Sequence, residues 1–157
     1  MAFEPGIYKT TKYLPGYEAQ VVPNRLVLIR TDGDFAPASV LLPVMNENNQ
    51  WRFQMPGMKI PATSLNWAES LENIPHEGFY RLLDEFTFGD QGRWLKNAII
   101  QLGYTREADP ILFIAQRRSP LVSNDLWFSD KGVKVSMEEA RKMLEPLAWY
   151  QEPETKS

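Results

Sequence analysis

The sequence predicts a mainly β (α+β) fold in which a small antiparallel β module, followed by one helix, occurs twice. Three observations lead to this prediction. Short alternating or β-branched segments are separated by Gly, Pro, Asn and Asp turns. The Gly-Ile-Tyr-Lys segment at residues 6–9 recurs nearly unchanged as Gly-Phe-Tyr-Arg at residues 78–81. A helix signal then follows each set of strands at the same distance from these two starts.

The first half is predicted to form strands up to residue 60. An extended segment from residue 6 ends before the Pro15-Gly16 pair, and a long polar loop follows. Residues 26–29 are rich in β-formers, and the Asp-Gly turn after them favours a hairpin with a return strand over residues 39–45. Because Pro43 lacks an N–H donor, that strand is expected to lie at an edge or to be bulged. Two further strands are predicted over residues 51–55 and 59–60.

The second half is predicted to repeat this order of strands. Apolar residues continue through 78–88 and again through 94–104, so each is interpreted as one strand. The uninterrupted apolar run 110–115 is expected to be the central strand, covered on both faces. Residues 125–128 and 133–135 are expected to form a tight hairpin.

A helix is predicted to close each half. Thr63 or Ser64 is a suitable N-cap for the first helix, and Pro75 stops it. Ser136 opens the second with the Ser-x-x-Glu spacing of a capping box, so this helix is expected to run to about Glu145.

A few positions match between the two halves at offsets of 72 to 76 residues and in the same order, which predicts an internal duplication with modules at 1–75 and 76–150 and a flexible polar tail at 151–157. Turn residues shared by chance are the alternative explanation. The matched pairs are Gly6 and Gly78, Tyr8 and Tyr80, Asn24 and Asn97, Trp51 and Trp127, Gly57 and Gly132, and Ser64 and Ser136.

Each predicted module has a long first loop, a hairpin, a Trp-bearing strand and a short last strand. This layout is similar to that of a small Src-homology-type barrel, although no motif specific to that family is present. Modules of this size bury only a marginal core, so two of them would gain stability by packing together. We therefore expect β-barrel-like modules related by pseudo-twofold symmetry.

Composition limits the classes of function. The chain has 17 Lys and Arg against 20 Asp and Glu, a net charge of -3, and neither half is a basic arm. Nucleic-acid binding is therefore disfavoured. The chain has no cysteine, which excludes disulfide frameworks, thiol nucleophiles and zinc ribbons. No signal-peptide pattern or long apolar run is seen, so a cytoplasmic protein without a membrane span is expected.

No pattern in the sequence points strongly to catalysis. His76 is the only histidine, and it lies in a Pro-His-Glu connector without a nucleophile motif beside it. Asp32 and Asp34 flank a glycine in a predicted turn, where Asp is common. Asp84 and Glu85 are adjacent in a predicted strand, so their side chains are expected to point to opposite faces. No phosphate-binding loop or metal-ligand spacing is found. The expectation is a chain without catalytic residues, cofactor or metal.

Aromatic and basic residues that occur side by side provide the candidate binding site. Such residues dominate the energetics of protein interfaces. The alternative is that the aromatic residues are core and the basic ones are solvated. The favoured function is a non-catalytic protein-binding or regulatory module, monomeric or homodimeric, whose partner is another protein. A nucleic-acid-binding small barrel is second, and a small enzyme using His76 or paired carboxylates is third. The candidate site residues are Tyr80, Arg81, Arg93, Trp94, Lys96, Arg117 and Arg118.

Overall fold

The computed structural model describes residues 3–33, 36–87, 92–117, 119, 121 and 126–148. Asp34, Phe88, Arg118, Asp125 and the tail at 151–157 lie outside these residues, as do the predictions made for them. The first half contains β1 (Gly6–Lys9), β2 (Leu26–Thr31), β3 (Pro37–Leu41), β4 (Pro43–Glu47), β5 (Gln50–Phe53), β6 (Met58–Lys59), a 3-10 turn (Ala62–Ser64), α1 (Leu65–Glu69) and β7 (Glu72–Asn73). The second contains β8 (Gly78–Leu82), β9 (Phe86–Thr87), β10 (Arg93–Trp94), β11 (Ile99–Tyr104), β12 (Pro110–Gln116), β13 (Trp127–Phe128), β14 (Val133–Lys134), α2 (Met137–Met143) and β15 (Leu144–Pro146).

These strands form two antiparallel sheets and two separate hairpins. The first sheet has the order β6-β3-β2-β1-β7, and the second has the order β13-β12-β11-β8-β15 with β14 also paired to β12. β4 pairs with β5, and β9 with β10. The prediction of a mainly β fold with a helix after each half is therefore confirmed.

The predicted barrels are not formed, because both sheets are open. In the first half the return strand is broken at Leu42, and β4 pairs with β5 outside the first sheet. Pro43 has no N–H to offer, and the β4–β5 register shifts between Pro43 and Met45, which confirms the irregularity predicted at this proline. The chain after β3 therefore leaves the first sheet and forms the β4–β5 hairpin, so the first sheet is not closed.

The diverted β4–β5 hairpin packs against the second half. The Trp51 indole N–H donates to the Tyr104 carbonyl at 2.7 Å. The Arg106 guanidinium lies 5.0 Å from the centre of the Trp51 ring and donates to the Pro43 and Val44 carbonyls, each at 3.2 Å. These contacts join the halves through an element that the second half does not repeat among its described residues.

The two sheets share their strand order and the register of their central pairs. Gly6 lies opposite Ile29 in the first sheet, and Gly78 lies opposite Leu102 in the second. β3 pairs with β6 as β12 pairs with β14, and the post-helix strands β7 and β15 pair with β1 and β8. The side chains of Tyr8 and Tyr80 both donate to a carbonyl four residues earlier.

Two of the predicted long strands are interrupted. The strand expected over 78–88 ends at Leu82, and the strand expected over 94–104 is divided by a turn at 95–98. Asn97 has φ of 72° there, and its N–H donates to the Leu82 carbonyl at 2.8 Å. The apolar pattern runs on through these turns because residues on both sides of each turn enter the same core.

The hairpin predicted between 125–128 and 133–135 is wrong. β13 and β14 both pair with β12, at Ala115–Gln116 and at Ile111–Leu112 respectively, and not with each other. Each of these short strands forms its ladder hydrogen bonds with β12, which is longer and more buried, so the two strands do not pair with each other.

The two helices differ in length and in capping. α1 has five residues, and Ser64 is buried at its start without a side-chain capping hydrogen bond. The chain therefore leaves the helix before Pro75 and forms β7. α2 begins with both hydrogen bonds of the predicted capping box, from the Glu139 N–H to Ser136 Oγ at 3.1 Å and from the Ser136 N–H to Glu139 Oε1 at 3.2 Å.

Substituting Ser136 with alanine is expected to lower the free energy of unfolding by about 1 kcal/mol, because an N–H of the first turn of α2 loses its acceptor. Denaturant unfolding measures this loss. Ser136→Thr keeps a hydroxyl acceptor and should retain most of the stability. Equal losses in the two variants would contradict a capping role.

The apolar core consists of two clusters. One belongs to the first half and includes Leu14, Val21 and Trp67. The other fills the second half and also takes in Ile7 and Leu26 from the first half. The halves therefore share part of one core. None of the helices in the described part of the chain is long and apolar enough to cross a membrane.

Candidate functional site

A cleft opens where β11 and β12 diverge. The ladder between these strands ends at the pair Ile100 and Ile114. Beyond that pair the chain before β11 turns away, while Ala115 and Gln116 pair with β13 on the other side of β12. The resulting space measures about 520 Å³, and we call it the basic cleft. It is lined by Arg93, Trp94, Leu95, Lys96, Asn97, Ala98, Ile114 and Gln116.

Two of the predicted cations lie on the rim of the basic cleft. Lys96 is exposed, and the Arg93 side chain is 64% exposed. Arg93 Nε lies 3.4 Å from Glu85 Oε1, and an ion pair this exposed contributes little to stability. Arg117 is also exposed and directly follows the lining residue Gln116. The cleft thus has positively charged groups that an incoming ligand can reach.

The other predicted residues occupy different environments. Tyr80 and Trp94 are 7% and 6% exposed and belong to the core of the second half, so neither presents a free ring face. The Tyr80 hydroxyl donates to the His76 carbonyl at 2.7 Å. The Arg81 guanidinium donates to Asn97 Oδ1 at 2.6 Å and pairs with Glu145 at 2.5 Å. Arg81 is therefore already bound to residues of this chain, and its hydrogen bond fixes the position of the lining residue Asn97.

Sequence reasoning missed the lining residues Leu95, Asn97, Ala98, Ile114 and Gln116. A turn at Asn97 could have been predicted, because asparagine tolerates the left-handed backbone conformation better than most residues and is common in turns. Ile114 and Gln116 carried no comparable signal, because their place beside residues 93–98 depends on the pairing of β11 with β12.

Glu77, the residue after the single histidine, lies at the contact between the β4–β5 hairpin and the second half. His76 is exposed, whereas Glu77 is half-buried and its Oε2 accepts the Trp51 backbone N–H at 3.1 Å. Burial raises the pKa of Glu77 to about 7, and the Trp51 hydrogen bond opposes that shift only partly. Burial also raises the pKa of Tyr104, whose hydroxyl donates to the Pro75 carbonyl at 2.6 Å.

The other acidic candidates are ordinary turn residues. Asp84 accepts the Glu85 N–H at 2.8 Å, and Asp32 accepts the Ala36 N–H at 3.3 Å. Within the described ranges, no group of three or more Asp, Glu or His residues is placed to hold a metal ion.

The basic cleft thus brings two of the five predicted cations, Arg93 and Lys96, to the rim of one cavity. The chain matches no protein-family model, no curated protein and no solved structure.

Proposed function

We propose that this chain is a non-catalytic protein-binding module that holds an extended acidic segment of a partner protein in the basic cleft. The observation that carries the proposal is a cleft of about 520 Å³ with Arg93 and Lys96 on its rim, in a chain whose net charge is -3. A local cluster of cations on an acidic protein selects for carboxylates in the ligand.

The rim cations are available for such a ligand. Among the residues that the structure describes, Arg93 is held by an exposed ion pair to Glu85, so exchange for a partner carboxylate costs little. The guanidinium can bind a carboxylate through two parallel hydrogen bonds, which adds geometric selectivity. The Lys96 ammonium adds charge without that constraint, and the exposed Arg117 directly follows the lining residue Gln116.

The cleft also favours an apolar residue between the carboxylates. Leu95 is 55% exposed, and Ile114 and Ala98 are half-buried, so apolar surface lies between the charged groups. Covering it removes that surface from water and supplies affinity that the rim charges alone do not. We therefore expect a preferred segment in which acidic residues flank one large apolar residue.

Nucleic-acid binding receives less support. Single-stranded nucleic acids need aromatic faces on which bases stack as well as cations. Of the described residues that line the basic cleft, Trp94 alone is aromatic, and it is buried.

We also infer that the two halves, 1–75 and 76–150, arose by tandem duplication and that the cleft is a specialisation of the second copy. The shared strand order, the shared registers and the paired Tyr8 and Tyr80 hydrogen bonds support this inference. In the first half, the loop between β1 and β2 buries Leu14 and Val21 completely. In the second half, residues 93–98 of the corresponding segment line the basic cleft. Pseudo-twofold packing of the copies stays a prediction.

Selection from a displayed library of random peptides tests the binding proposal. We expect the enriched peptides to contain Asp or Glu on both sides of one large apolar residue. A synthetic peptide of that pattern should lose at least tenfold in affinity for the Arg93→Glu/Lys96→Glu double variant, because two attractions become repulsions. Its binding to the unaltered protein should also weaken as salt is raised.

The matched control reverses two exposed cations in the first half, Arg52→Glu and Lys59→Glu. This variant changes the net charge by the same amount as Arg93→Glu/Lys96→Glu. Peptide binding should stay within about twofold of that of the unaltered protein, because salt screens the charges of exposed groups outside the cleft. Enrichment of peptides without acidic residues, or equal losses in the two double variants, would refute the role of the basic cleft.

A further inference from the structure

A second cleft lies on the opposite side of the second sheet from its core. Gln101 and Phe79 are direct neighbours across the β8–β11 pair, whereas the adjacent Tyr80 and Ile100 are buried in the core. Side chains alternate between the faces of a strand, so Phe79 and Gln101 lie on the outer face. The cleft measures about 480 Å³ and is bounded by Phe79, Gln101 and Phe128 of the sheet and by Asn46, Asn48 and Asn49 of the β4–β5 hairpin. We call it the amide cleft.

The walls of the amide cleft are fixed by hydrogen bonds between the hairpin and the sheet. Asn49 Nδ2 donates to Gln101 Oε1, and Gln101 Nε2 donates to the Asn48 carbonyl, each at 2.9 Å. The Asn49 carbonyl also lies 3.2 Å from the position that a Cβ on Gly103 would occupy, so this close approach depends on glycine. The cleft is therefore formed before any ligand arrives, which reduces the entropy cost of binding.

The floor of the amide cleft is aromatic. The Phe79 and Phe128 rings lie with their centres 5.4 Å apart and their planes inclined by 31°. Both residues are half-buried, so part of each ring remains accessible. Such rings offer an apolar face against which a flat, partly apolar ligand can pack.

The polar groups around that floor are mostly uncharged. The side chains of Asn46, Asn48 and Asp130 make no hydrogen bond to any other residue that the structure describes. The Ser129 hydroxyl donates to the Lys131 carbonyl at 3.2 Å, and its oxygen adds a further acceptor. An amide presents both donors and acceptors, as a ligand hydroxyl requires. None of the described residues that line the amide cleft is a cation that would neutralise a phosphate or carboxylate, and Asp130 repels such groups.

We propose that the amide cleft binds a neutral saccharide. The apolar face of a sugar ring would pack on Phe79 and Phe128, and its hydroxyls would bond to Asn46, Asn48 and Asp130. The volume lies within the roughly 300–1,000 Å³ typical of small-ligand sites. This site is separate from the basic cleft and does not depend on the function assigned to it.

Ligand-observed NMR against a panel of neutral disaccharides tests the proposal. Suitable probes are maltose, cellobiose, lactose and N,N′-diacetylchitobiose, with glucose 6-phosphate as the anionic comparator. We expect at least one disaccharide to bind with a Kd of roughly 1 mM or below, as suits a shallow cleft, and glucose 6-phosphate not to bind. No binding across the panel, or equal binding of the phosphorylated sugar, would overturn the proposal.

Variants then locate the binding. Asn46→Ala and Asp130→Ala alter exposed residues without described hydrogen-bond partners, so both are expected to fold. Each should weaken disaccharide binding at least fivefold. The control Asn66→Ala changes an exposed asparagine on α1, and Arg93→Glu/Lys96→Glu changes the basic cleft; both should bind as the unaltered protein does. Retained affinity in Asn46→Ala and Asp130→Ala, or loss in either control, would place the sugar elsewhere.

Discussion

Replacing Gly132 with alanine is expected to lower the free energy of unfolding by roughly 2–3 kcal/mol, which is the cost of overfilling a packed site. A Cβ at this position would lie 2.2 Å from Ile111 Cγ2 and 2.7 and 2.8 Å from two atoms of the Phe113 ring. Ile111 Cγ2 is attached directly to a branched Cβ and has little freedom to move. Phe113 is 8% exposed, so its ring has no open space to enter.

The matched control is Gly33→Ala in the turn after β2. Nothing lies within 4 Å of a Cβ built on Gly33, and its backbone is not in the left-handed region. We expect a change within about 0.5 kcal/mol. Chemical denaturation of both variants measures the difference, and equal midpoints would show that β14 does not pack on β12 as closely as the structure has it.

Local turn and cap chemistry was predictable from the sequence because it depends on neighbouring residues. The capping box at Ser136 needs only Glu139 three positions later, and the irregularity at Pro43 needs only the missing N–H. The ends of β8 and β11 were not predictable in the same way. Their apolar patterns continue through residues 83–87 and 94–98 because Phe86 and Trp94 pack on the core from outside the main sheet.

The pairing of β13 and β14 was missed for a related reason. A Gly-containing turn between two short strands favours a hairpin when only local sequence is considered. Both strands instead pair with β12, an interaction over a long sequence separation that no local signal encodes. Topology of this kind depends on which strand is long and buried enough to accept partners.

The matched tryptophans Trp51 and Trp127 differ in their strand pairing and in their contacts. Trp51 lies opposite Asn46 in the β4–β5 hairpin, whereas Trp127 lies opposite Gln116 on β12. Trp51 donates to the Tyr104 carbonyl, whereas the buried Trp127 Nε1 has no hydrogen-bond partner among the described residues.

Only part of the candidate site could be predicted from the sequence. Arg93 and Lys96 are close in sequence, so their common location followed from their spacing. The burial of Trp94 and the contribution of Ile114 and Gln116 did not follow, because both depend on how β10, β11 and β12 meet. Composition alone does not separate an aromatic core residue from an aromatic binding residue.

Glu77→Gln is expected to raise the free energy of unfolding by about 1–2 kcal/mol at pH 8. Burial at the contact with the β4–β5 hairpin raises the pKa of Glu77 from 4.5 to about 7, so the ionised side chain destabilises the folded protein above that pH. The free-energy difference that corresponds to the whole pKa shift is larger, but Glu77 is partly exposed and solvent screens its charge. Glutamine keeps an oxygen that can accept the Trp51 N–H and removes the buried charge.

The pH dependence has a definite sign. Below about pH 4.5 Glu77 is protonated in both the folded and the unfolded chain, so it carries no penalty. Between about pH 4.5 and 7 the unfolded chain ionises first, the folded chain retains more protons, and its contribution to stability falls as pH rises. Above about pH 7 the loss is complete and constant.

Urea unfolding of both proteins at pH 5, 6, 7 and 8 separates this effect from a general change in stability. The advantage of Glu77→Gln should be smallest at pH 5, grow through pH 6 and 7, and level off by pH 8. Glu47→Gln, at an exposed carboxylate of the same hairpin, should change stability little at any of these values. An advantage of Glu77→Gln that is independent of pH would mean that the gain comes from packing and that the carboxylate is already ionised at pH 5. A pH-dependent advantage would instead show that ionisation of Glu77, at its contact with the β4–β5 hairpin, lowers the stability of this protein near neutral pH.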